Sequence, residues 1–122
     1  IDIKKIAVVD RNSSVKDAID EIGNSTLGIC CLIDKKNKLL GIFTDGDLRR
    51  YIYTTQKPMS VIYTDSILEI IKKKPITATI HSAPKSILKK MIKHSIWDVP
   101  VLDDNKKLLG ILHMHNLVQA LI

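Results

Sequence analysis

The stretch that decides the fold is GIFTDGDLRR, residues 41–50. Its apolar start predicts a β-strand, and a hydroxyl and carboxylates follow where the strand runs into a helix. A helix that begins at a strand end offers free backbone N–H groups and a positive dipole end, which suit a phosphate. The same frame returns 69 residues later as GILHMHNL, residues 110–117. Two such junctions in 122 residues indicate a paired ligand-binding module.

An internal repeat connects the two junctions. When residue i is aligned with residue i + 69, seven of the fifteen pairs between positions 34 and 48 are identical, which indicates a duplicated unit. Each copy predicts a strand, an amphipathic helix, two strands joined by a polar turn, and a short last helix. The predicted fold class is therefore α/β (α+β), with two β-α-β-β-α repeats. We expect the repeats over residues 1–53 and 76–122, with a linker containing a short helix over 54–75.

Helix caps and breakers refine these boundaries. Ser14 is the expected N-cap of the first helix, and Ser82 that of its counterpart. Pro58 argues against regular structure over residues 53–63, whereas a short helix is expected over residues 65–73. The apolar faces of the two capped helices are predicted to be Val15, Ala18, Ile19 and Ile22, and Ile87, Leu88, Met91 and Ile92.

Composition limits the classes of partner. The apolar share of 45% is enough for a packed core, and no apolar run approaches the roughly 20 residues that span a membrane. The net charge of +6 comes largely from scattered lysines, and the aromatic share of 4% leaves few stacking platforms for nucleic acid. We therefore expect no nucleic-acid partner, no membrane partner and, without a visible signal peptide, a cytoplasmic location. The chain begins with Ile1 rather than Met, which fits a piece of a longer protein and equally a trimmed end.

The residues give no support for catalysis or for a bound metal. Cys30 and Cys31 are adjacent in a predicted strand, so they point to opposite faces, and buried reduced thiols are expected. His113 and His115 lack an evident third metal ligand. No nucleophile–base pattern and no pair of catalytic carboxylates is apparent. We predict no catalytic residue, no metal and no cofactor other than a regulatory ligand.

The first junction carries a recognisable signature. Residues 41–48 read Gly-hydrophobic-hydrophobic-Thr-x-x-Asp-hydrophobic, and with the repeat they make the chain resemble a tandem cystathionine-β-synthase-type (CBS) domain pair, or Bateman module. The resemblance covers nearly the whole chain. It implies nucleotide-binding clefts between the repeats, pairing into a flat homodimer, and regulation of an attached enzyme or transporter.

A narrower resemblance concerns the attached enzyme. Residues 41–50 and 109–117 are similar to the two repeats of arabinose-5-phosphate isomerases, which supply arabinose 5-phosphate for the lipopolysaccharide sugar Kdo. Their sugar-isomerase domain precedes the repeats, so the resemblance implies that this chain is the regulatory part alone. Two departures are Asn116 in place of the usual Asp and a segment before Val8 without the usual Met and His. Paired repeats before some sugar-phosphate nucleotidyltransferases carry a similar motif, so such a transferase remains an alternative, as does a dimerisation module with vestigial clefts.

The first cleft has residues suited to a nucleotide. Thr44 can donate to or accept from a phosphate, and ionised Asp47 is an acceptor that suits a ribose diol. Gly46 carries no side chain and keeps the approach open. The alternative is that Asp45 and Asp47 merely cap the helix. By resemblance, this cleft would also include Ile76, Thr77, Ile96 and Trp97, with Trp97 stacked on a base or covering the core edge as a rim residue.

The second cleft is predicted to differ from the first. By resemblance it would use His113 and Asn116 together with Lys5, Ile6, Ile29 and Cys30. Replacing Thr and Asp by His and Asn changes the charge, which suits an anionic ligand or none. Arg49 and Arg50 could contact an anion, form a salt bridge in the dimer, or remain solvated. The candidate regulatory ligands are CMP-Kdo, AMP and ATP.

Overall fold

The computed structural model describes residues 6–25, 27–71 and 74–121. It confirms the predicted mixed fold of strands and helices, arranged as two small three-stranded sheets. The chain divides into two compact units, one ending at Pro75 and the other beginning at Ile76. Predictions that involve Lys5, Lys72 or Lys73 lie outside the described residues.

The first unit contains one repeat in the predicted order. Its elements are β1 (Ala7–Val9), α1 (Val15–Gly23), β2 (Ile29–Ile33), β3 (Leu39–Thr44) and α2 (Asp45–Thr55). β2 is the central strand, parallel to β1 and antiparallel to β3. Its sequence ICCLI is almost entirely buried, as expected for a strand without a solvent-facing side.

Helix α1 packs on β1 and β2 and is capped as predicted. The Ser14 hydroxyl accepts from the Asp17 N–H at 3.1 Å, and the Asp17 carboxylate accepts from the Ser14 N–H at 2.9 Å. This reciprocal capping box satisfies two backbone donors that a helix start leaves unpaired. The buried core of this unit consists of Ala7, Val9, Ala18, Cys30, Leu32, Phe43, Ile67 and Ile71.

The two thiols are free and buried, as predicted. Burial raises the pKa of Cys30 to about 12, with a smaller contribution from the neighbouring thiol, and raises the pKa of Cys31 to about 12. A buried site disfavours the charged thiolate, so both groups behave as small apolar side chains.

The segment after α2 is more regular than expected. α3 (Met59–Ile62) begins directly after Pro58, so the expectation that this proline prevents regular structure is wrong. A helix does not need the N–H that proline lacks at its first positions. The helix expected over residues 65–73 is, within the described residues, a single 3₁₀ turn over Ile67–Glu69.

This segment completes the first unit. The N–H groups of Val15 and Lys16, unpaired within α1, donate to the carbonyls of Asp65 and Tyr63 at 2.9 and 3.2 Å. Ile67 is buried in the core and its N–H donates to the Ser13 carbonyl at 3.0 Å. The segment therefore supplies both apolar surface and helix-capping acceptors.

The second unit repeats the topology of the first. Its elements are β4 (Ala78–Thr79), α4 (Pro84–His94), β5 (Asp98–Leu102), β6 (Leu108–His113) and α5 (Met114–Leu121). β5 is parallel to β4 and antiparallel to β6. Both hairpins also carry a register shift at the same repeat position, between residues 32 and 33 and between residues 101 and 102. The buried core here is Ala78, Ile87, Met91, Val99 and Leu117.

Two predictions for α4 are wrong. The N-cap is Ala83, without a side-chain cap, because the Ser82 hydroxyl instead accepts from the Thr79 N–H at 3.0 Å in the turn after β4. Ile92 was expected in the core but is 64% exposed. Ile87 and Met91 define the buried line of the helix, and Ile92 lies beyond its edge.

Within the described ranges, every helix is too short or too polar to cross a lipid bilayer.

Ile67 should anchor the segment after α2 to the first repeat. We expect Ile67→Ala to lower the free energy of unfolding by about 2–4 kcal/mol, because it removes buried apolar groups and leaves a cavity. The neighbouring Leu68 is exposed, so Leu68→Ala should change it by less than about 0.5 kcal/mol. Urea denaturation measures both; equal losses would contradict the anchoring role.

The acid side of the stability profile should depend on Tyr51. Its hydroxyl donates to Asp65 at 2.6 Å and, with Lys57, lowers the pKa of that carboxyl. A lowered pKa stabilises the fold above the unfolded value of about 4, and the contribution is lost as the pH falls through the folded pKa. Tyr51→Phe should therefore make the free energy of unfolding less dependent on pH below about pH 4.

The matched control is Tyr53→Phe, because Tyr53 is largely exposed on the same helix. Denaturation between neutral and acid pH compares the two variants. An unchanged acid limb in Tyr51→Phe, or an equal change in Tyr53→Phe, would contradict the assignment.

Candidate ligand-binding site

The first junction is a capping box that unites two predicted site residues. Thr44 ends β3 and is the N-cap of α2. Its hydroxyl accepts from the Asp47 N–H at 3.2 Å and donates to the Asp47 carboxylate at 3.0 Å. The Thr44 N–H donates to the same carboxylate oxygen at 3.0 Å. Both side chains are thus oriented by one another at the start of α2.

Asp47 is unusual for a charged residue because it is only 7% exposed. Its second carboxylate oxygen lies 3.6 Å from the Arg50 guanidinium, one turn along α2. Donors on both oxygens compensate the removal of the carboxylate from water. The capping role considered for Asp47 is therefore present, and a ligand contacting this carboxylate would share or replace these bonds.

The glycines at this junction have different roles. A Cβ at Gly46 would meet the Thr44 hydroxyl at 3.7 Å, an ordinary contact, so Gly46 is not required by close packing. A Cβ at Gly28 would lie 2.9 Å from the Asp45 carboxylate, and the Gly28 carbonyl accepts from the Asp45 N–H at 3.3 Å. Gly28 is thus a positioning residue that sequence reasoning missed.

Asp47 also faces an open depression on the first unit. The depression has a volume of about 230 Å³ and extends along α2 to the 3₁₀ turn. Arg50 places a cation beside the carboxylate, and Glu69 adds a second acid. Polar hydroxyls complete the wall, so the surface next to Asp47 can accept a polar ligand group. Its lining is Asp47, Arg50, Tyr51, Thr54, Glu69 and Ile70.

The second junction is built on a different pair. His113 ends β6 and lies opposite Asp98 of β5 in the antiparallel register. The His113 Nδ1 and an Asp98 carboxylate oxygen are 2.8 Å apart. The acid offsets the charge that a protonated His113 would bring to an anionic ligand. Sequence reasoning missed Asp98, although the i + 69 alignment pairs it with Ile29, which lies opposite Thr44.

The other predicted site residues lie in the second unit. Ile76 and Thr77 line a small cavity of about 20 Å³, enough for about one water. Ile96 packs against the core, whereas Asn116 is exposed on α5. Trp97 is 66% exposed, so it contributes little to this core, and its carbonyl accepts from the Met114 N–H at 2.8 Å.

The structure thus brings predicted site residues together in two sets. Thr44, Gly46 and Asp47 form one junction in the first unit, while Trp97 and His113 lie on neighbouring strand ends in the second. The combination of residues from both units into one cleft remains a prediction. In the described residues, no three His, Cys, Asp or Glu side chains converge as metal ligands would.

Comparison with known proteins defines the class. The model of the CBS domain family matches residues 1–54 and 57–122. The chain therefore belongs to the CBS domain family and consists of a tandem pair of these domains, which confirms the predicted resemblance.

The chain is similar to particular members and solved structures. It is 33% identical over 119 residues to arabinose 5-phosphate isomerase KdsD of Francisella tularensis, covering 94% of this chain and 34% of that protein. It thus spans about a third of that relative's length.

Two solved structures share the fold. CBSX2 in complex with AMP has a TM-score of 0.81 at 24% identity and covers 98% of this chain and 89% of its own. The CBS domain pair of protein MJ0100, in complex with 5′-methylthioadenosine and S-adenosyl-L-methionine, has a TM-score of 0.80 at 24% identity and covers 98% and 93%.

The capping role of Thr44 can be measured directly. Thr44→Ala should lower the free energy of unfolding by about 1 kcal/mol, because it removes the acceptor for the Asp47 N–H and a donor to the buried carboxylate. Thr44→Ser keeps the hydroxyl and should retain most of the stability. Urea denaturation compares the variants, and equal stability of the two would contradict the capping box.

Proposed function

We propose that this chain is a regulatory module that senses a nucleotide or sugar nucleotide and controls an arabinose-5-phosphate isomerase. The observation that carries the proposal is the Thr44–Asp47 pair, which stands at the signature junction of a tandem CBS pair. The likeness to KdsD supports the choice of enzyme. The activity, the sugar-isomerase domain and the homodimer all belong to this proposal.

The geometry around Asp47 supports recognition of a ribose diol. An ionised carboxylate accepts hydrogen bonds only, so it suits two adjacent hydroxyls. The Thr44 hydroxyl lies 3.0 Å from this carboxylate, and the α2 start favours a negative group near it. Because the pair is already held in place, less ordering is required when a ligand binds.

Trp97 supplies the aromatic part of the proposed site. A tryptophan that is 66% exposed presents an aromatic face on which a base can stack. Stacking on an aromatic side chain contributes roughly 1–3 kcal/mol per base. Trp97 is the single tryptophan of the chain, so its fluorescence reports on this position alone.

The second junction is proposed to serve a different ligand or none. His113 is bonded to Asp98, and Asn116 offers an amide where the first junction has a carboxylate. An amide donates as well as accepts and carries no charge, so it does not reproduce the diol-binding chemistry of Asp47.

Regulation would follow from unequal affinity for two states of the parent enzyme. CMP-Kdo is an attractive candidate because it combines a ribose, a phosphate and a carboxylate, and it lies downstream of arabinose 5-phosphate as an end product. AMP and ATP are the other candidates. A cytoplasmic location is part of the proposal, supported by two free thiols that suit a reducing compartment.

Calorimetry and Trp97 fluorescence test the ligand. We expect at least one of CMP-Kdo, CMP, AMP and ATP to bind and to change Trp97 emission. Asp47→Ala should weaken binding by about tenfold or more, since it removes a charge-assisted contact. Asp17→Ala is the matched control, because Asp17 has the same capping role in α1 and should lose stability but not affinity.

Absence of binding by all four compounds to a folded module would overturn the sensing proposal and favour a dimerisation module. Equal affinity losses in Asp17→Ala and Asp47→Ala would show that only helix stability had been disturbed. The parent is tested by the gene's reading frame: a sugar-isomerase domain before residue 1 supports the isomerase, and a nucleotidyltransferase neighbour contradicts it.

A further inference from the structure

A second candidate site lies at the far end of the β2–β3 hairpin, away from Thr44. The loop after β1 and the turn between β2 and β3 enclose a groove of about 550 Å³ within the first unit. Four exposed cations line it: Arg11 from the loop, and Lys35, Lys36 and Lys38 from the turn. In the described part of the chain, none of these four side chains is held in a salt bridge.

The two acids of the groove are already engaged by their own loops. The Asp34 carboxylate accepts from the N–H groups of Lys36 and Lys38 at 2.8 and 2.9 Å. The Asp10 carboxylate accepts from the Asn12 N–H at 2.8 Å. These bonds hold the acids in the loop backbone, while the cationic heads remain available to a ligand.

The second repeat has the same loops with different charges. Asp103 accepts from the N–H groups of Asn105 and Lys107 at 2.8 and 2.9 Å, which copies the bonds of Asp34. Residues 37 and 106, at equivalent positions in the two turns, both have a φ of 64°. The backbone is therefore the same, and only the side chains that line the groove have changed.

Those changes remove the cations. Arg11, Lys35 and Lys36 are replaced in the second repeat by Ile80, Asp104 and Asn105, respectively. A hydrogen bond of 2.9 Å between His81 and Asp104 also joins the two loops there. The fold itself does not require cations at these positions, so their concentration in the first repeat calls for another explanation.

We infer that the groove lined by Arg11, Lys35, Lys36 and Lys38 binds a compact multivalent anion that carries several phosphate groups. Its volume lies in the range of small-molecule sites, which is roughly 300–1,000 Å³. Two short loops bound the groove, which suits a compact anion better than an extended acidic chain. Arg11 can bind a phosphate through two N–H groups, while the lysines act as mobile point charges.

This site is distinct from the one proposed at Thr44 and Asp47, and it does not depend on that function. The junction is at the carboxyl end of β3, whereas the groove is at the turn where β3 begins. A module with both sites could respond to a nucleotide at one and to a polyphosphate-type anion at the other.

Calorimetry with inorganic triphosphate tests the inference. The wild-type chain should bind triphosphate at low ionic strength, and added salt should weaken the binding. Lys35→Asp combined with Lys36→Asn copies the second repeat's turn and should weaken binding by about tenfold or more. The control, Lys89→Glu with Lys93→Asn on exposed positions of α4, makes the same charge change and should leave the affinity unchanged within error.

Further arms separate the other sources of binding. Arg11→Ile changes the opposite loop and should also weaken binding, which keeps the test valid if the double variant does not fold. Asp47→Ala should retain triphosphate binding. Loss of binding in Asp47→Ala, equal weakening by the α4 control, or no binding to the wild-type chain would overturn the proposal. Tighter binding of a hexaglutamate peptide than of triphosphate would overturn the assigned ligand class.

Discussion

The register of the β2–β3 hairpin is the constraint on which the rest of the first unit depends. The Asp34 carboxylate accepts two backbone N–H groups in the turn, which fixes its geometry. The resulting register places Thr44 opposite Ile29 at the strand end. A shift by one residue would exchange the buried and exposed faces of β3 and move Thr44 from the start of α2. Both candidate sites depend on this hairpin, one at each end.

Stability and recognition are combined at the first junction. The Thr44–Asp47 box satisfies the start of α2, as the Ser14–Asp17 box satisfies α1. Only the first of these acids is buried, with an arginine beside it. Because the two boxes share their capping geometry, a comparison between them separates a helix cap from a ligand contact. The α1 box shows that capping alone does not require a buried acid.

The repeat predicts much of the fold because it reports the same constraint twice. Strand order, the polar turns and the Ser14 cap were predictable from periodicity and from residues with known turn and cap preferences. The helix after Pro58 was not, because proline marks helix starts as well as breaks. The exposure of Ile92 and the Ala83 cap depend on how α4 packs and on where the Ser82 hydroxyl finds a donor, neither of which a local pattern contains.

The sequence by itself determined the duplicated β-α-β-β-α unit, the signature at Thr44 and Asp47, and the burial of both cysteines, since these follow from spacing and residue chemistry. The tertiary structure decided which side chains meet. Asp98 reaches His113 only through the pairing of β5 with β6, and four cations meet at one groove only because two distant loops fold together. Hydrogen bonds and charge clusters between residues far apart in the chain depend on register and packing, which no local pattern specifies.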